Sequence, residues 1–234
     1  MIKKRQHIKM ICVLLIIFIL YFISFIVTEN YYYRNKNYFK HNYKEYDDFI
    51  SKETCYTFKQ KIVNNIHFED NPLNDSFKNT KGILIEFTDK NDYNAFQSKN
   101  LEFLYPYYKK IKKPYANHFI FNILAIPPSK KKKMSIAYHY DSTLSLNEID
   151  ESYFSHDIVP ECVSVTYIAQ PKHMKNGKLQ LIKYGNWINV GNITPSIGKM
   201  VEFNGKLYHG VESFYDLDNS NTYRISLVLE QYCV

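Results

Sequence analysis

His139 and Asp141 are two potential metal ligands separated by one residue, at the end of the alternating segment 135–141. Side chains two residues apart in a β-strand point to the same face, so the spacing predicts an imidazole and a carboxylate side by side. The small Ser135 and Ala137 should lie beside them and leave room for a ligand. Taken alone, a His-x-Asp triplet is common by chance, and a surface position is the ordinary interpretation.

His209 is a third potential ligand, and it follows a strong turn signal. Asn204-Gly205 between two apolar fragments predicts a tight hairpin turn. The return strand then carries His209 on the same face as Leu207 and Val211. A histidine on an apolar face is usually a hydrogen-bonded core residue, so His209 suggests metal binding only in combination with other ligands.

Arg224 and Ser226 lie in a further alternating segment, residues 222–229, which places both on one face and Ile225 and Leu227 on the other. A guanidinium pointing into a protein is costly unless an anion meets it, and it binds a carboxylate through two parallel hydrogen bonds. The Ser226 hydroxyl could supply one more. The alternative is an arginine at a strand edge that pairs with a surface acid.

The elements that position these residues are mostly predicted strands, preceded by one amphipathic helix between Glu45 and Ile66. Strands are predicted near residues 82–88, 118–126, 134–140, 161–169, 178–184, 198–203, 206–212 and 222–232. Many short strands with few helical patterns predict a mainly β fold, a jelly roll (double-stranded β-helix) with flanking helices.

Together these motifs resemble the superfamily of 2-oxoglutarate- and iron(II)-dependent dioxygenases, in particular its prolyl and lysyl hydroxylases. That superfamily has a His-x-Asp motif, a distal His, and then an Arg or Lys, and the resemblance covers roughly residues 115–232. It implies that iron(II) is bound by His139, Asp141 and His209, and that 2-oxoglutarate is bound by Arg224 and Ser226. No catalytic residue beyond the metal ligands is implied. The implied cofactors are iron(II), 2-oxoglutarate and oxygen, with ascorbate as a further candidate.

The implied activity is hydroxylation of an aliphatic C–H bond of a protein side chain, so a protein or peptide is the expected partner. The stretch 139–143 is more similar to procollagen lysyl hydroxylases, which also use Arg, than to procollagen prolyl hydroxylases, which use Lys. The spacing from His209 to Arg224 is longer than in either and predicts an inserted turn at residues 216–221. Two alternatives stay open: a non-catalytic jelly-roll binding module and a membrane structural protein.

The N-terminal segment has the features of a membrane anchor. Residues 1–9 form a basic tail, residues 10–28 an apolar run long enough to span a bilayer as a signal anchor, and residues 29–44 a polar stalk. A cleaved signal peptide is the runner-up interpretation. The dioxygenase domain is expected at residues 45–234. The predicted location is a single-pass membrane protein with a lumenal or extracellular catalytic domain.

Composition adds two exclusions. The formal net charge is +7, but no nucleic-acid-binding fold signature accompanies it, so a nucleic-acid partner is not expected. Cys55, Cys162 and Cys233 show no C-x-x-C spacing, which argues against a zinc knuckle.

Overall fold

The computed structural model describes residues 42–70, 79–129, 134–141, 159–183, 188–218 and 222–234, together with residues 15, 18, 19 and 77. The chain divides into two units, Met1–His41 and Asn42–Val234. The second unit carries the sheets and the candidate site.

Strands dominate the described part of the second unit. They are β1 (Tyr43–Tyr46), β2 (Glu69–Asp70), β3 (Lys81–Thr88), β4 (His118–Ile126), β5 (Met134–His139), β6 (Cys162–Ala169), β7 (Met174–Asn176), β8 (Leu179–Lys183), β9 (Ile188–Ile193), β10 (Met200–Phe203), β11 (Tyr208–Glu212), β12 (Phe214–Asp216) and β13 (Arg224–Tyr232). The helices are α1 (Lys52–Val63), α2 (Asp92–Ser98) and α3 (Tyr105–Ile111), with a 3₁₀ turn at Glu102–Leu104.

The strands form two main antiparallel sheets and a small two-stranded one. The larger sheet has seven strands in the order β1-β10-β6-β13-β4-β3-β2, the smaller has four in the order β5-β11-β8-β9, and β12 pairs with β7. The core between the sheets contains buried residues of both, including Leu124 and Val165 from the larger sheet and Leu181 and Val211 from the smaller. Two facing antiparallel sheets around a shared core are the architecture expected of a jelly roll.

Helices cover the opposite face of the seven-stranded sheet. A second core contains Phe58 and Ile62 from α1, Tyr108 from α3, and Leu227 and Leu229 from the outer face of β13. This helical layer buries one face of β13, while the other face of β13 lines the space between the sheets. The central strand is therefore packed from behind at the point where the site is built.

The eight predicted strands are all present with small shifts at their ends, and the mainly β class is confirmed. The predicted helix between Glu45 and Ile66 is shorter, because Ser51 caps it: the Ser51 side chain accepts a hydrogen bond from the Thr54 amide at 3.1 Å. Tyr43–Tyr46 instead forms β1 and pairs with β10. The predicted stalk therefore ends in a strand of the larger sheet.

The predicted turn at Asn204-Gly205 exists, but the hairpin does not. β10 belongs to the seven-stranded sheet and β11 to the four-stranded one. The turn therefore carries the chain from one sheet to the other. Space at this crossing is minimal, since a Cβ atom on Gly205 would lie 2.0 Å from the Pro160 carbonyl oxygen.

The predicted single-pass membrane location is corrected by the structure. Among the residues it describes, no helix is long and apolar enough to cross a membrane. A crossing needs roughly 20 consecutive apolar helical residues, whereas Leu15, Phe18 and Ile19 are the described residues of the predicted span, and all three are helical. The basic tail, the rest of the span and the stalk up to residue 41 lie outside the described residues. The membrane partner and the lumenal placement depended on this span and are corrected with it.

Candidate metal centre

Two neighbouring strands of the smaller sheet bring the predicted metal ligands together. β5 and β11 are antiparallel, and their register places His139 directly opposite His209. Asp141 follows two residues after His139 at the end of β5. One ligand atom from each of His139, Asp141 and His209 lies within 4.8 Å of the others. The sheet thus joins ligands that are 70 residues apart in the sequence.

Asp141 lies between the two imidazoles. Its Oδ1 is 3.5 Å from His139 Nε2, and its Oδ2 is 3.4 Å from His209 Nε2. Each histidine is also held from behind, since His139 Nδ1 lies 2.8 Å from the Ala137 carbonyl oxygen and His209 Nδ1 lies 3.1 Å from that of Leu207. A carbonyl can only accept, so each Nδ1 carries the proton. Each Nε2 therefore keeps its lone pair for a metal in the neutral tautomer.

The cluster is largely shielded from water. Asp141 and His209 are buried, while His139 is partly exposed. Burial alone raises the pKa of Asp141, but the charge of His209 and hydrogen bonds with both histidines outweigh it and hold that pKa well below its usual range. Burial lowers the pKa of His209, but the Asp141 carboxylate outweighs this effect and raises it. The carboxylate is thus held in the ionised form that binds metals, whereas protonation of His209, which would occupy its Nε2, is favoured up to a higher pH than in an ordinary histidine.

Arg224 lies at the start of β13 and is buried, with 1% of its surface exposed. Its Nη1 donates to the Gly177 carbonyl oxygen at 2.5 Å, and the guanidinium carbon lies 5.0 Å from the centre of the Tyr167 ring. The Arg224 Nε has no hydrogen-bond partner among the described residues. Burial lowers the pKa of Arg224. Because its Nε is unsatisfied, the guanidinium would stabilise an anion bound in this position.

One cavity contains both the metal ligands and Arg224. The cavity is partly open to solvent, and Ser226 also lines it. Apolar walls complete it, from Leu124, Val163, Val165 and Val228 on the larger sheet and Ile136, Leu179 and Val211 on the smaller. The predicted inward phase of β13 is therefore present, with Ile225 and Leu227 in the core behind the sheet.

The predicted surroundings of His139 are different in the structure. Val211 pairs with Ile136 although His209 pairs with His139, so β5 contains an extra residue at a β-bulge. The bulge turns Ile136 toward the cavity, while Ala137 is exposed. Ser135 lines a different cavity. The prediction that Ser135 and Ala137 lie beside the ligands is therefore wrong.

Sequence reasoning did not identify Tyr167, Asn122 or Glu230. Tyr167 packs under the Arg224 guanidinium, and the other two line the cavity. The alternation of β13 contained the signal for one of them, because Glu230 is in phase with Arg224 and Ser226. Asn122 could not be assigned to the cavity from its own strand, because its position there follows from its pairing with Val228 across the β13–β4 ladder.

No protein-family model and no curated protein sequence matches the chain. Solved structures do match. The structure of IDO from Bacillus thuringiensis aligns with a TM-score of 0.54 and 10% identity, covering 85% of this chain and 96% of that one. An oxidoreductase of the 2OG-Fe(II) oxygenase family from Burkholderia pseudomallei has a TM-score of 0.48 at 8% identity, over 82% and 85% of the two chains. A prolyl-4-hydroxylase from Pseudomonas putida has a TM-score of 0.47 at 14% identity, over 83% and 94%.

The likeness to the Bacillus protein shows a shared fold, and that fold carries a His-Asp-His cluster here. The donor set fits the cofactors that the resemblance implies: two imidazoles and one carboxylate suit iron(II), and a buried guanidinium suits a carboxylate of 2-oxoglutarate.

Proposed function

We propose that this chain is a 2-oxoglutarate- and iron(II)-dependent dioxygenase that hydroxylates an aliphatic C–H bond of a prolyl or lysyl side chain in a protein. The observation that carries the proposal is one cavity lined by His139, Asp141 and His209 and also by the buried Arg224. The overall reaction converts 2-oxoglutarate, oxygen and the C–H substrate into succinate, carbon dioxide and the alcohol. We assign the fold to the double-stranded β-helix class because its two antiparallel sheets face each other around this cavity.

His139, Asp141 and His209 would hold the iron. Two nitrogen donors and one carboxylate on one side of an ion leave its remaining positions open for other ligands. Bound iron and 2-oxoglutarate supply the oxidation chemistry. The contribution of the chain is to fix the two imidazoles in one tautomer through the Ala137 and Leu207 carbonyls and to keep the Asp141 carboxylate ionised.

Arg224 would bind the carboxylate of 2-oxoglutarate that is farther from the metal. Its Nη1 is already engaged by Gly177, which fixes the guanidinium plane, while Nε is available to a ligand. Ser226, two residues further along the same face, is 1% exposed and lines the cavity, so its hydroxyl could add a hydrogen bond. The Tyr167 ring supports the guanidinium from one side.

The apolar cavity walls would exclude water from the reacting atoms. Val163, Val165 and Val228 bring only methyl groups to the cavity from the larger sheet. Electrostatic interactions are stronger where water is excluded, so the apolar lining would strengthen the interactions of the charged ligands of the site.

The support for a protein side chain as substrate is the sequence resemblance of residues 139–143 and Arg224 to lysyl hydroxylases.

The test is succinate formation by the purified full chain supplied with iron(II), ascorbate, 2-oxoglutarate and peptides containing either proline or lysine. We expect succinate in amounts that match peptide hydroxylation measured by mass spectrometry. A chain that binds iron and 2-oxoglutarate but forms no succinate with any peptide would favour the non-catalytic binding module.

A further inference from the structure

Four aromatic rings form a continuous series of contacts through the candidate metal centre. Phe77 packs against His139, with the ring centres 5.2 Å apart and the ring planes at 76°. The centres of the two imidazoles are 4.5 Å apart, and Phe203 packs against His209 at 5.0 Å and 62°. Each imidazole therefore contacts the other imidazole and one phenyl ring. The function proposed above leaves both phenylalanines without a role.

Both phenylalanines come from outside the sheet that carries the histidines. Phe203 is the last residue of β10 in the seven-stranded sheet. Phe77 precedes β3 of the same sheet, and its carbonyl oxygen accepts hydrogen bonds from the Thr80 amide at 3.0 Å and from the Thr80 hydroxyl at 2.8 Å. Both rings belong to the core between the sheets. Residues of the larger sheet and of the segment leading into it thus contact both histidine ligands of the smaller sheet.

The two histidines differ in how their own sheet supports them. β11 lies between β5 and β8, so His209 has a paired residue on each side. Within the described part of the chain, β5 stands at the end of this sheet and pairs with β11. The His139 side chain is correspondingly more exposed than that of His209, 16% against 8%. His139 therefore depends more on a contact from outside its sheet, and Phe77 supplies that contact.

The contact with Phe77 adds a constraint that the hydrogen bond of His139 does not provide. That hydrogen bond, from Nδ1 to the Ala137 carbonyl, fixes one ring atom, but the torsion that tilts a histidine ring has broad energy minima. A neighbouring ring restricts the tilt, because aromatic pairs favour particular geometries in a close-packed core. Phe77 is 8% exposed and lines the cavity, so its ring also occupies space beside His139 that water would otherwise enter.

We propose, resting on the function proposed above, that Phe77 is a positioning residue of the metal centre, whose ring fixes the tilt of the His139 imidazole so that Nε2 faces Asp141 before a metal binds. A phenyl ring offers no donor atom, so Phe77 acts through His139. A ligand that is already oriented loses less conformational freedom on binding, and this raises the affinity for the metal. Phe203 makes the same kind of contact with His209, but there the sheet already gives support on both sides.

Three variants separate the role of the ring from a loss of general stability. Phe77→Leu keeps an apolar side chain and removes the ring, and Phe77→Tyr keeps the ring as the conservative variant. Phe58→Leu is the matched control, because Phe58 is 9% exposed and makes ring contacts with Phe103 and Tyr107 in the helical layer. Both leucine variants lose a buried ring with its aromatic contacts, but only Phe77→Leu loses one beside a metal ligand.

The first measurement needs no metal. Hydrogen exchange of the imidazole N–H groups is followed by NMR in the metal-free full chain labelled with ¹⁵N-histidine. We expect the Nδ1–H of His139 to exchange about three- to tenfold faster in Phe77→Leu, the factor to which one aromatic contact corresponds. The Nδ1–H of His209 should keep its rate, Phe77→Tyr should behave like the unmodified chain, and Phe58→Leu should change neither histidine.

The second measurement is iron(II) affinity, determined without oxygen by competition with a coloured chelator. We expect it to fall about three- to tenfold in Phe77→Leu for the same reason and to stay unchanged in Phe77→Tyr and Phe58→Leu. Unchanged exchange at His139 in Phe77→Leu would overturn the proposal, and so would equal losses of iron affinity in the two leucine variants. If Phe77→Leu fails to fold, the unmodified chain still decides, because a His139 Nδ1–H that exchanges as fast as in free histidine would show that the ring is not fixed.

Failure of this proposal is distinguishable from failure of the proposed function. If the unmodified chain binds no iron, the proposed function is contradicted, whatever the exchange rates are. If it binds iron equally well in all variants, the dioxygenase stands and the role of Phe77 falls.

Discussion

At the scale of single residues, the site depends on how two imidazoles are oriented. In each case the backbone carbonyl two residues earlier in the sequence accepts a hydrogen bond from Nδ1, that of Ala137 from His139 and that of Leu207 from His209. The repetition of this contact makes both Nε2 atoms available on the same side. Asp141 completes the set, with both carboxylate oxygens within 3.5 Å of an Nε2 atom.

Removing a ligand should remove the metal. We expect His139→Ala, His209→Ala and Asp141→Ala each to lower iron(II) affinity by more than about 100-fold, since even partners outside the ligand set are worth 10–100-fold. The measurement is iron bound per chain after dialysis, with circular dichroism as a check of folding. His173→Ala is the matched control, because His173 pairs with Asp218 at an exposed position. Normal iron content in any one of the three ligand variants would show that the ligand set is wrong.

Iron binding should also weaken in acid. The pKa of His209 is raised in the metal-free chain, so a proton occupies His209 up to a higher pH than in an ordinary histidine, and iron must displace it. Asp141 stays ionised, because its pKa is held low. We therefore expect iron affinity to fall about tenfold per pH unit below the raised pKa of His209. Titrations at a series of pH values would test this, and an affinity that is constant from pH 8 to pH 5.5 would contradict it.

Arg224 tests the cosubstrate assignment separately from the metal. Arg224→Lys keeps a positive charge and loses the paired hydrogen bonds, so 2-oxoglutarate affinity should drop roughly ten- to a hundredfold. Iron content should stay near that of the unmodified chain. The measurement is succinate formation against 2-oxoglutarate concentration, and an unchanged curve for Arg224→Ala would contradict the assignment.

The candidate site residues could be proposed from the sequence because their placement depends on local alternation. Period two along β13 fixes the direction of Arg224 and Ser226 without knowledge of any other strand. The same rule applied four residues further would have identified Glu230. Tyr167 could not be assigned in this way, because its role depends on the contact of its ring with a strand more than 50 residues later.

At the scale of elements, two departures from regular pairing shape the site. The bulge in β5 lets His139 and Ile136 both face the cavity, although strict alternation would put them on opposite sides. The turn at Asn204-Gly205 moves the chain between sheets before His209. Neither could be predicted from the sequence, because a bulge is defined by the partner strand and a turn signal does not say which strand the chain pairs with next.

Gly205 should be essential for this crossing. A Cβ atom there would overlap the Pro160 carbonyl oxygen. Because that oxygen belongs to the backbone, the backbone itself would have to move to relieve the overlap. We expect Gly205→Ala to lower the free energy of unfolding by about 1–3 kcal/mol. Lys206→Ala, at the exposed next residue, should change it by less than about 0.5 kcal/mol. Chemical denaturation would measure both, and a fully stable Gly205→Ala variant would show that the crossing is not tight.

At the scale of the whole molecule, the long strands were predictable and the short elements were not. β4 has the same bounds in the sequence prediction and in the structure, His118–Ile126, because it is an apolar run buried on both faces. The helices α2 and α3 have seven residues each, too few for helical periodicity to be recognised. β1 escaped prediction because its stability comes from pairing with β10 rather than from its polar sequence.

The arrangement of the sheets gives the molecule one cavity in which a metal cluster and a buried arginine face the same space. The metal ligands come from the four-stranded sheet, and the arginine comes from the middle of the seven-stranded one. Relative movement of the sheets would separate the two parts of the site. The helical layer packs behind β13, against the wall that carries Arg224.

The most direct test of the account is calorimetric titration of 2-oxoglutarate into the full chain without oxygen, with and without iron(II), together with metal analysis. The account predicts one iron per chain and one 2-oxoglutarate, with tighter 2-oxoglutarate binding when iron is present, because iron and Arg224 would hold opposite ends of the same molecule. Asp141→Ala should abolish the effect of iron on this affinity. A chain that binds no iron, or that binds 2-oxoglutarate equally well with and without it, would contradict the account.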